Sequence, residues 1–264
     1  MSILEAVIVA IVEGLTEFLP ISSTAHMVIC SSLMHFEKDP FTKYFEICIQ
    51  FGAILSVLVL YFKKFINFKS PAFYIKLIIA VIPSLVLGFL LNDFIDDKLE
   101  SPLFIAVIMI LGGVLLLFVD RWFSAPRILR EEDIDHKLAL KIGFFQCFAI
   151  IFPGLSRSAA TIIGGMSQKI SKEVAAEFSF FLAVPTMAAA TLYKTLSYIK
   201  KEGMFSADQL TTLAIGNAVA FVVALLAIKF FIKFVKEKGF KMFGIYRIIL
   251  GSVVLILIFM KVIG

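Results

Sequence analysis

Six long apolar stretches restrict the fold of this sequence more than any other feature. They run over approximately 45–62, 75–91, 102–119, 177–195, 211–234 and 243–262. Each is close to the roughly 17–25 residues that a membrane-spanning helix requires. The stretches are continuously apolar and do not alternate, which disfavours a transmembrane barrel. We therefore predict an all-α polytopic membrane protein with six transmembrane helices.

The composition excludes an ordinary water-soluble domain. Hydrophobic residues make up 60% of the chain and 29 of its 264 residues are Phe, whereas soluble domains are roughly 45–50% apolar. We expect a single integral membrane domain over 1–264. Glu5 stands where a signal peptide would be apolar, so we expect no cleaved leader. The three cysteines show no CxxC spacing, which argues against a disulfide framework or a metal cage.

Basic residues are distributed unevenly between the predicted helices. The connections 62–76, 120–141 and 229–242 contain four, five and five Lys or Arg, while the alternate connections contain one and three. Short cytoplasmic loops collect Lys and Arg, so the three richer connections should face the cytoplasm. Membrane topology thus explains the net charge of +5. No basic patch is interleaved with exposed aromatic residues, and nucleic acid is not an expected partner.

Two further apolar stretches, about 3–35 and 140–170, are interrupted by a proline followed by small and hydroxyl residues. An alignment of the two pairs Pro20 with Pro153, Glu13 with Gln146 and Ser23 with Ser156. We interpret the chain as a diverged repeat with halves of about 1–122 and 137–264. Each half would contain one re-entrant helical segment and three spans.

An odd number of spans per half requires the second half to enter the membrane in the opposite orientation. The prediction is therefore an inverted-topology repeat. Such folds place their polar site near the middle of the membrane, between the two broken helices. We expect the two interrupted segments to face each other.

The first interrupted segment contains EGLTEFLPISSTAH, from Glu13 to His26. Glu13 and Glu17 are four residues apart and share a helical face, and Pro20 breaks that helix. Polar residues follow where freed N–H groups could meet an anion: Ser22, Ser23, Thr24 and His26. This pattern indicates a phosphate site.

The second interrupted segment contains PGLSRSAAT, from Pro153 to Thr161. Gly154 permits a tight turn, and Arg157 stands between two serines. The planar guanidinium suits phosphate oxygens. An uncompensated Arg in the hydrocarbon region costs at least about 2.5–3.5 kcal/mol, so Arg157 should pair with Glu13, Glu17 or an anionic ligand. A purely structural Arg–Glu pair is the alternative.

The residue that attacks phosphorus is left open by the sequence. Ser23 and His26 are three residues apart, so the imidazole could take the serine proton, with Glu17 orienting the ring. His26 itself could be the phosphate acceptor. A third route is attack by water activated by a metal on Glu13 and Glu17.

Three polar residues lie within or at the start of apolar spans. Gln50 either donates to the site or bonds a neighbouring helix. Tyr246 and Arg247 open the last span close to the predicted inner interface, which is typical of anchoring.

Both motifs resemble the signatures of the undecaprenyl-diphosphatase family of bacitracin-resistance proteins. The resemblance extends through EICIQFGAIL near Gln50, KEVAAEFSFFLAVP at 172–185 and IYRIILG near Arg247. It implies removal of the terminal phosphate from a C55 isoprenyl diphosphate, which recycles the carrier lipid for cell-wall synthesis. It also implies a bacterial cytoplasmic (inner) membrane location, a site opening to the outer face, and often a homodimer.

The resemblance also implies roles for individual residues. The catalytic set is Glu13, Glu17, Ser23, His26 and Arg157. The expected substrate-binding set is Ser22, Thr24, Gln50, Gly154, Ser156, Ser158 and Thr161. The two glutamates would repel each other and a phosphate unless Arg157, a proton or a cation intervenes, so a divalent cation, Mg²⁺ or Ca²⁺, on Glu13 and Glu17 is predicted.

Two other functional classes compete with the phosphatase. An inverted repeat with charges at mid-membrane also suits alternating access, so a transporter or flippase for a phosphorylated lipid is the main alternative. A structural or resistance-scaffold protein is the third.

Overall fold

The computed structural model describes residues 1–34, 39–67, 71–94 and 101–263, and nearly all regular structure in these ranges is helical. A short 3-10 turn covers Glu131–Asp133, and one isolated bridge joins Ile128 and Ile170. The helices are α1 (Ile3–Thr16), α2 (Ser23–Leu33), α3 (Pro40–Leu60), α4 (Phe62–Phe65), α5 (Pro71–Phe94), α6 (Pro102–Trp122), α7 (His136–Ile151), α8 (Arg157–Ser167), α9 (Lys172–Glu202), α10 (Ala207–Lys238) and α11 (Lys241–Phe259).

Six of the described helices are long and apolar enough to cross a membrane. They are α3, α5, α6, α9, α10 and α11. This number confirms the prediction of six spans. Helices α1, α2, α7 and α8 are shorter, with 14, 11, 16 and 11 residues. These four carry the interrupted motifs.

Local sequence explains where several helices begin. Helix α1 starts with a capping box in which Ser2 and Glu5 exchange side-chain and backbone hydrogen bonds. Pro40 and Pro102 occupy the first positions of α3 and α6, where a missing N–H costs nothing. The Asp135 side chain accepts from the N–H of Leu138 and caps α7.

The three basic connections lie at one end of the helix bundle, here called the lysine-rich end. Lys64 and Lys76 both pair with Glu131, at 2.6 and 3.4 Å, which joins the first connection to the second. Asp120 accepts a 2.6 Å hydrogen bond from the N–H of Phe240, which joins the second to the third. The structure thus places together the connections that the charge pattern assigned to one side.

Aromatic side chains mark the opposite end, here called the aromatic end. The hydroxyls of Tyr44 and Thr195 are 2.9 Å apart, and the rings of Tyr44, Tyr198 and Phe205 pack on one another. Met1, Met34, Tyr198 and Phe205 all pack against the hydrophobic core cluster that contains Tyr44. The start of α1 and the end of α2 therefore lie near the aromatic end.

The other pair of short helices is placed differently. Lys141, near the start of α7, donates to the side chain of Gln168, just after the end of α8, at 2.9 Å. The N–H groups of Arg127 and Ile128 bond the Lys169 carbonyl, which ties the end of α8 to the second basic connection. Helix α7 therefore begins near the lysine-rich end, and helix α8 ends near it.

A cluster of phenylalanines supports the segment between α1 and α2. Phe18 packs edge-on against Phe180 of α9, with ring centroids 5.2 Å apart, and Phe180 packs against Phe231 of α10 at 5.8 Å. All three side chains are fully buried. This cluster fixes the backbone immediately after Glu17.

Glu131 should matter more for stability than its neighbour Asp133. Glu131 is buried between Lys64 and Lys76, whereas Asp133 forms an exposed pair with Arg130. Glu131→Gln should lower the free energy of unfolding by roughly 3 kcal/mol, because it leaves buried Lys76 without its carboxylate. The control Asp133→Asn should lower it by less than about 1 kcal/mol. Thermal unfolding in detergent, followed by circular dichroism, measures both, and equal effects would contradict this assignment.

Candidate functional site

Two turns interrupt the short helix pairs, and both end in a serine with an unusual backbone. The first turn covers 17–22 and the second covers 152–156. Ser22 has φ of 69° and Ser156 has φ of 77°, a region that residues other than glycine seldom occupy. Each serine side chain accepts the N–H of the alanine three residues later and so caps the following helix.

The two caps correct the predicted alignment by one residue. Ser156 corresponds to Ser22 and not to Ser23, because the second turn has one more residue between its proline and its cap. Gly154 occupies part of that longer turn with φ of 95°, and a side chain there would collide with the carbonyl of Ile105. Glycine is therefore required at 154 for both conformation and space.

The two turns touch each other, which confirms the prediction that the two interrupted segments face each other. The Ser158 hydroxyl donates to the carbonyl of Phe18 at 2.8 Å. The Ser156 hydroxyl donates to the carbonyl of Leu19 at 3.5 Å. These serines of the second motif satisfy carbonyls of the first turn, where the regular helical hydrogen bonds end.

Glu17 joins the two motifs chemically. One carboxylate oxygen pairs with Nη2 of Arg157 at 3.2 Å, and the other accepts a 2.5 Å hydrogen bond from the Ser23 hydroxyl. The side chains of Arg157 and Glu17 are only 13% and 7% exposed. The predicted pairing of Arg157 with a motif glutamate is confirmed, and Glu17 is the partner.

Arg157 retains N–H donors that no residue in the described ranges uses. A guanidinium has five N–H donors. Nη1 donates to the Ser179 carbonyl at 2.9 Å and Nη2 donates to Glu17. Its buried Nε has no hydrogen-bond partner among the described residues. Nη1 and Nη2 each carry a second N–H group beyond the two hydrogen bonds given above. These are the donors available to an anionic ligand.

Glu13 lies one helical turn before Glu17 and is fully buried. Neither of its carboxylate oxygens has a hydrogen-bond partner within the described ranges. A bare buried carboxylate is costly, so Glu13 needs a proton or a cation. Among the described residues, no group of three or more His, Cys, Asp or Glu is placed to hold a metal ion. Mg²⁺ usually binds one or two carboxylates and completes its shell with phosphate oxygens and water, so Glu13 and Glu17 fit such a partial site.

His26 makes contacts other than those predicted. Its Nδ1 is 2.7 Å from the Ser22 carbonyl, and its Nε2 is 2.7 Å from the Tyr246 hydroxyl. A carbonyl can only accept, so Nδ1 carries the proton, and Nε2 of the neutral ring accepts from the tyrosine. Both ring nitrogens are thus occupied. The expected Ser23–His26 hydrogen bond is replaced by the bond from Ser23 to Glu17.

A cavity of about 620 Å³ begins at the two turns. Eight of the predicted site residues line it: Glu17, Ser22, Ser23, Thr24, Gln50, Gly154, Ser156 and Arg157. Four others do not: Glu13, His26, Ser158 and Thr161. The Thr161 hydroxyl lies 2.6 Å from that of Ser179, so Thr161 and Ser158 both contact protein groups that support the turns.

Two helix N-termini meet at the polar end of this cavity. Helix α2 begins at Ser23 and α8 begins at Arg157, and both residues line the cavity. The first N–H groups of a helix have no partner within it, and they form the positive end of its dipole. With the unused donors of Arg157, these N–H groups make this end of the cavity suited to phosphate.

The cavity lining also includes a polar cluster that the sequence did not predict. The amide of Gln146 donates to the hydroxyls of Ser84 and Thr186, at 2.5 and 3.2 Å, and all three residues line the cavity. Ser84 and Thr186 directly follow prolines inside α5 and α9. A hydroxyl residue directly after a proline within an apolar span is the sequence pattern that could have identified this cluster.

Arg247 was also misjudged. Its position at the start of a span predicted interface anchoring, but its side chain is completely buried. Its guanidinium donates to carbonyls of both turns. The prediction was wrong because α11 packs closely on α6, and this packing places the side chain behind the turns.

Comparisons with known proteins show which family this chain belongs to. Residues 6–253 match the family model described as "Bacitracin resistance protein BacA". The chain is 55% identical to a Flavobacterium johnsoniae protein named undecaprenyl-diphosphatase, over 98% of this chain and 97% of that protein. Proteins of the same name from Bdellovibrio bacteriovorus and Porphyromonas gingivalis are 51% and 50% identical, over 98% and 97% of this chain and 97% of each relative. This multi-pass membrane chain therefore belongs to the BacA family.

Proposed function

We propose that this protein is an undecaprenyl-diphosphate phosphatase. It would hydrolyse undecaprenyl diphosphate to undecaprenyl phosphate and inorganic phosphate, recycling the carrier lipid for cell-wall synthesis. The substrate comes from the names of the relatives at 50–55% identity. The structural observation that carries the proposal is the contact of Ser23 with Glu17, whose carboxylate also holds Arg157, at the phosphate-suited end of the cavity.

The cavity fits a lipid with an anionic headgroup. Its polar end is described above, and its other walls include Ile47, Leu85, Phe89 and Ile150. Phe89 is 74% exposed, so this wall continues onto the apolar outer surface of the bundle. The diphosphate would occupy the polar end and the prenyl chain would follow the apolar wall into the bilayer.

The geometry supports attack by Ser23 with Glu17 as its base. Ser23 Oγ forms a bond to the terminal phosphorus, the bond from that phosphorus to the bridging oxygen breaks, and undecaprenyl phosphate leaves. The serine proton passes to Glu17, to which it is already hydrogen-bonded. Arg157 uses its free donors on the phosphoryl oxygens, whose charge the helix N-termini also stabilise.

Water then attacks the phosphoserine. The bond between phosphorus and the serine oxygen breaks, the proton on Glu17 returns to Ser23, and the protons of the water leave with inorganic phosphate. His26 would hold the first turn through the Ser22 carbonyl and would not touch the reacting atoms.

Ser23→Ala should abolish phosphate release, because it removes the attacking oxygen. We expect a loss of at least about 1,000-fold in kcat, measured as phosphate liberated by purified protein in detergent. Ser32→Ala, at the far end of the same helix, is the matched control and should retain wild-type activity. Acid quenching of the wild-type reaction should trap an acid-stable phosphoserine at position 23.

Other results would redirect the mechanism or the function. An acid-labile phosphohistidine would move the nucleophile to His26, and active Ser23→Ala protein without an adduct would favour direct attack by water. A lipid transporter or flippase would release no phosphate at all. The phosphate assay on the wild-type protein thus separates the phosphatase from its main alternative.

A divalent cation, Mg²⁺ or Ca²⁺, is part of this proposal. Glu13 and Glu17 would hold it, and the unpartnered oxygens of Glu13 support this assignment. When bound, the ion would neutralise charge on the phosphate oxygens.

Chelation should therefore stop turnover. EDTA should remove phosphate release, and added Mg²⁺ or Ca²⁺ should restore it. Glu13→Gln should raise several-fold the cation concentration needed for half-maximal activity, because a hard cation prefers a charged carboxylate. Full activity of the wild-type protein in EDTA would remove the metal from the proposal.

The proposal also includes the inverted-topology repeat with two re-entrant segments. Supporting it, α1 begins and α2 ends near the aromatic end, α7 begins and α8 ends near the lysine-rich end, and the two pairs meet at turns with matching serine caps. The halves of about 1–122 and 137–264 and the homodimer stay predictions.

The site would open to the outer face of the bacterial cytoplasmic membrane. The cavity includes Ile47 and Gln50 in the first half of α3 and Tyr193 in the later part of α9. These parts lie toward the aromatic end, and the lysine-rich end should be cytoplasmic. The cavity would therefore face away from the cytoplasm.

Thiol labelling of intact cells tests this orientation. In a background with Cys30, Cys48 and Cys147 replaced by Ala, Met204→Cys in the α9–α10 connection should react with a membrane-impermeant maleimide. Lys137→Cys, near the lysine-rich end, should react only after the cells are broken. Both side chains are exposed, so access to the reagent decides the result. The reverse pattern would overturn the orientation.

A further inference from the structure

Arg247 makes contacts that differ from those of every other described arginine. Its side chain in α11 is 0% exposed. Nη1 donates to the carbonyls of Pro20 at 3.1 Å and Leu155 at 2.9 Å, and Nη2 donates to that of Gly154 at 2.8 Å. Nε donates to the carbonyl of Met109 in α6 at 3.2 Å. One guanidinium therefore holds the first turn, the second turn and α6 together.

The contrast with Arg157 shows what this arrangement can do. Arg157 pairs with a carboxylate and keeps unused donors beside the cavity. Arg247 uses four of its five N–H donors on backbone carbonyls, lies outside the cavity lining, and has no carboxylate partner in the described part of the chain. It is therefore unsuited to grip a phosphate and well suited to hold backbone in place.

The fold makes room for this side chain. A Cβ on Gly112 of α6 would collide with the Arg247 guanidinium, so only glycine leaves the space that it occupies. The neighbouring Tyr246 bonds His26, which in turn bonds the Ser22 carbonyl. Consecutive residues of α11 thus reach both turns.

Burial without a counter-ion indicates a function other than general stability. An unpaired charge in an apolar region is expensive, and apolar residues often replace buried ionic groups without loss of stability. What an apolar side chain cannot do is donate to three separate backbone segments at fixed angles. The site requires this geometry, because Ser23 follows the first turn and Arg157 follows the second.

We propose that Arg247 is a positioning residue that sets the distance and angle between the two turns, so that Ser23, Glu17 and Arg157 act on one phosphate. The inference rests on the proposed phosphatase function. It assigns no contact between Arg247 and the substrate. It predicts that disturbing Arg247 loosens both turns together and lowers kcat more than it raises KM.

The test compares Arg247→Lys with wild-type protein in detergent. Lysine keeps the charge but provides three donors on one nitrogen, which cannot span the four carbonyls. We expect hydrogen–deuterium exchange to become faster in peptides covering both 17–24 and 152–159, with peptides from α10 unchanged. We expect kcat to fall roughly 100-fold, as for a small misplacement of reacting groups, with KM within a few-fold of wild type.

Two further variants keep the test decisive. Arg121→Lys makes the same change at an exposed arginine at the end of α6 and should match wild type in exchange and kinetics. If Arg247→Lys does not fold, Gly112→Ala displaces the guanidinium without removing it, and it should give the same double loosening and loss of kcat.

Each other outcome overturns a stated part. A fall in kcat with unchanged exchange in both turns, or a rise in KM alone, would show that Arg247 acts on the substrate and not on the turns. Unchanged exchange and unchanged kinetics would remove any positioning role. If wild-type protein releases no phosphate, the proposed function fails, while the exchange comparison still decides whether Arg247 holds the turns.

Discussion

The structure depends on satisfying the carbonyl groups that two broken helices leave unpaired inside an apolar bundle. In hydrocarbon each unsatisfied backbone group costs several kcal/mol, so irregular backbone persists only where protein groups supply the missing partners. Here the partners come from distant parts of the chain. Ser156 and Ser158 donate to the first turn, and Arg247 donates to both turns. The contacts that satisfy these carbonyls therefore also fix the geometry of the proposed site.

The two buried arginines, Arg157 and Arg247, have different hydrogen-bond partners. Arg157 is neutralised by Glu17 and faces the cavity with donors to spare. Arg247 lies behind the turns with its donors engaged on carbonyls. The number of N–H donors without a described protein partner therefore distinguishes the two arginines: Arg157 can bind an anion, and Arg247 holds backbone. Glu13 adds a second buried carboxyl group one helical turn before Glu17, and its oxygens have no hydrogen-bond partner among the described residues.

Much of this arrangement follows from the sequence, because membrane burial makes polar residues informative. Hydropathy alone predicts the six spans, and the cost of an isolated Arg predicts that Arg157 pairs with Glu13, Glu17 or an anionic ligand, of which the structure shows Glu17. The contacts of His26 and Arg247 could not be predicted, because Tyr246 and Pro20 come from opposite ends of the chain. The contacts of His26 with Tyr246 and of Arg247 with Pro20 depend on how closely α11 packs on α6. The spacing of residues within a motif carries no information about that packing. The one-residue error in the repeat alignment arose from the longer second turn.

The backbone of Ser22 and Ser156 has a consequence for how this site tolerates change. Glycine would adopt both positive φ values more readily, yet it would remove the hydroxyls that cap α2 and α8. Substitutions that relax the chain here would thus release the ends of the two helices whose N–H groups face the cavity. At both positions the backbone conformation favours glycine, whereas capping of the following helix requires the serine hydroxyl. A search for stabilised variants of this protein should therefore leave these two serines unchanged.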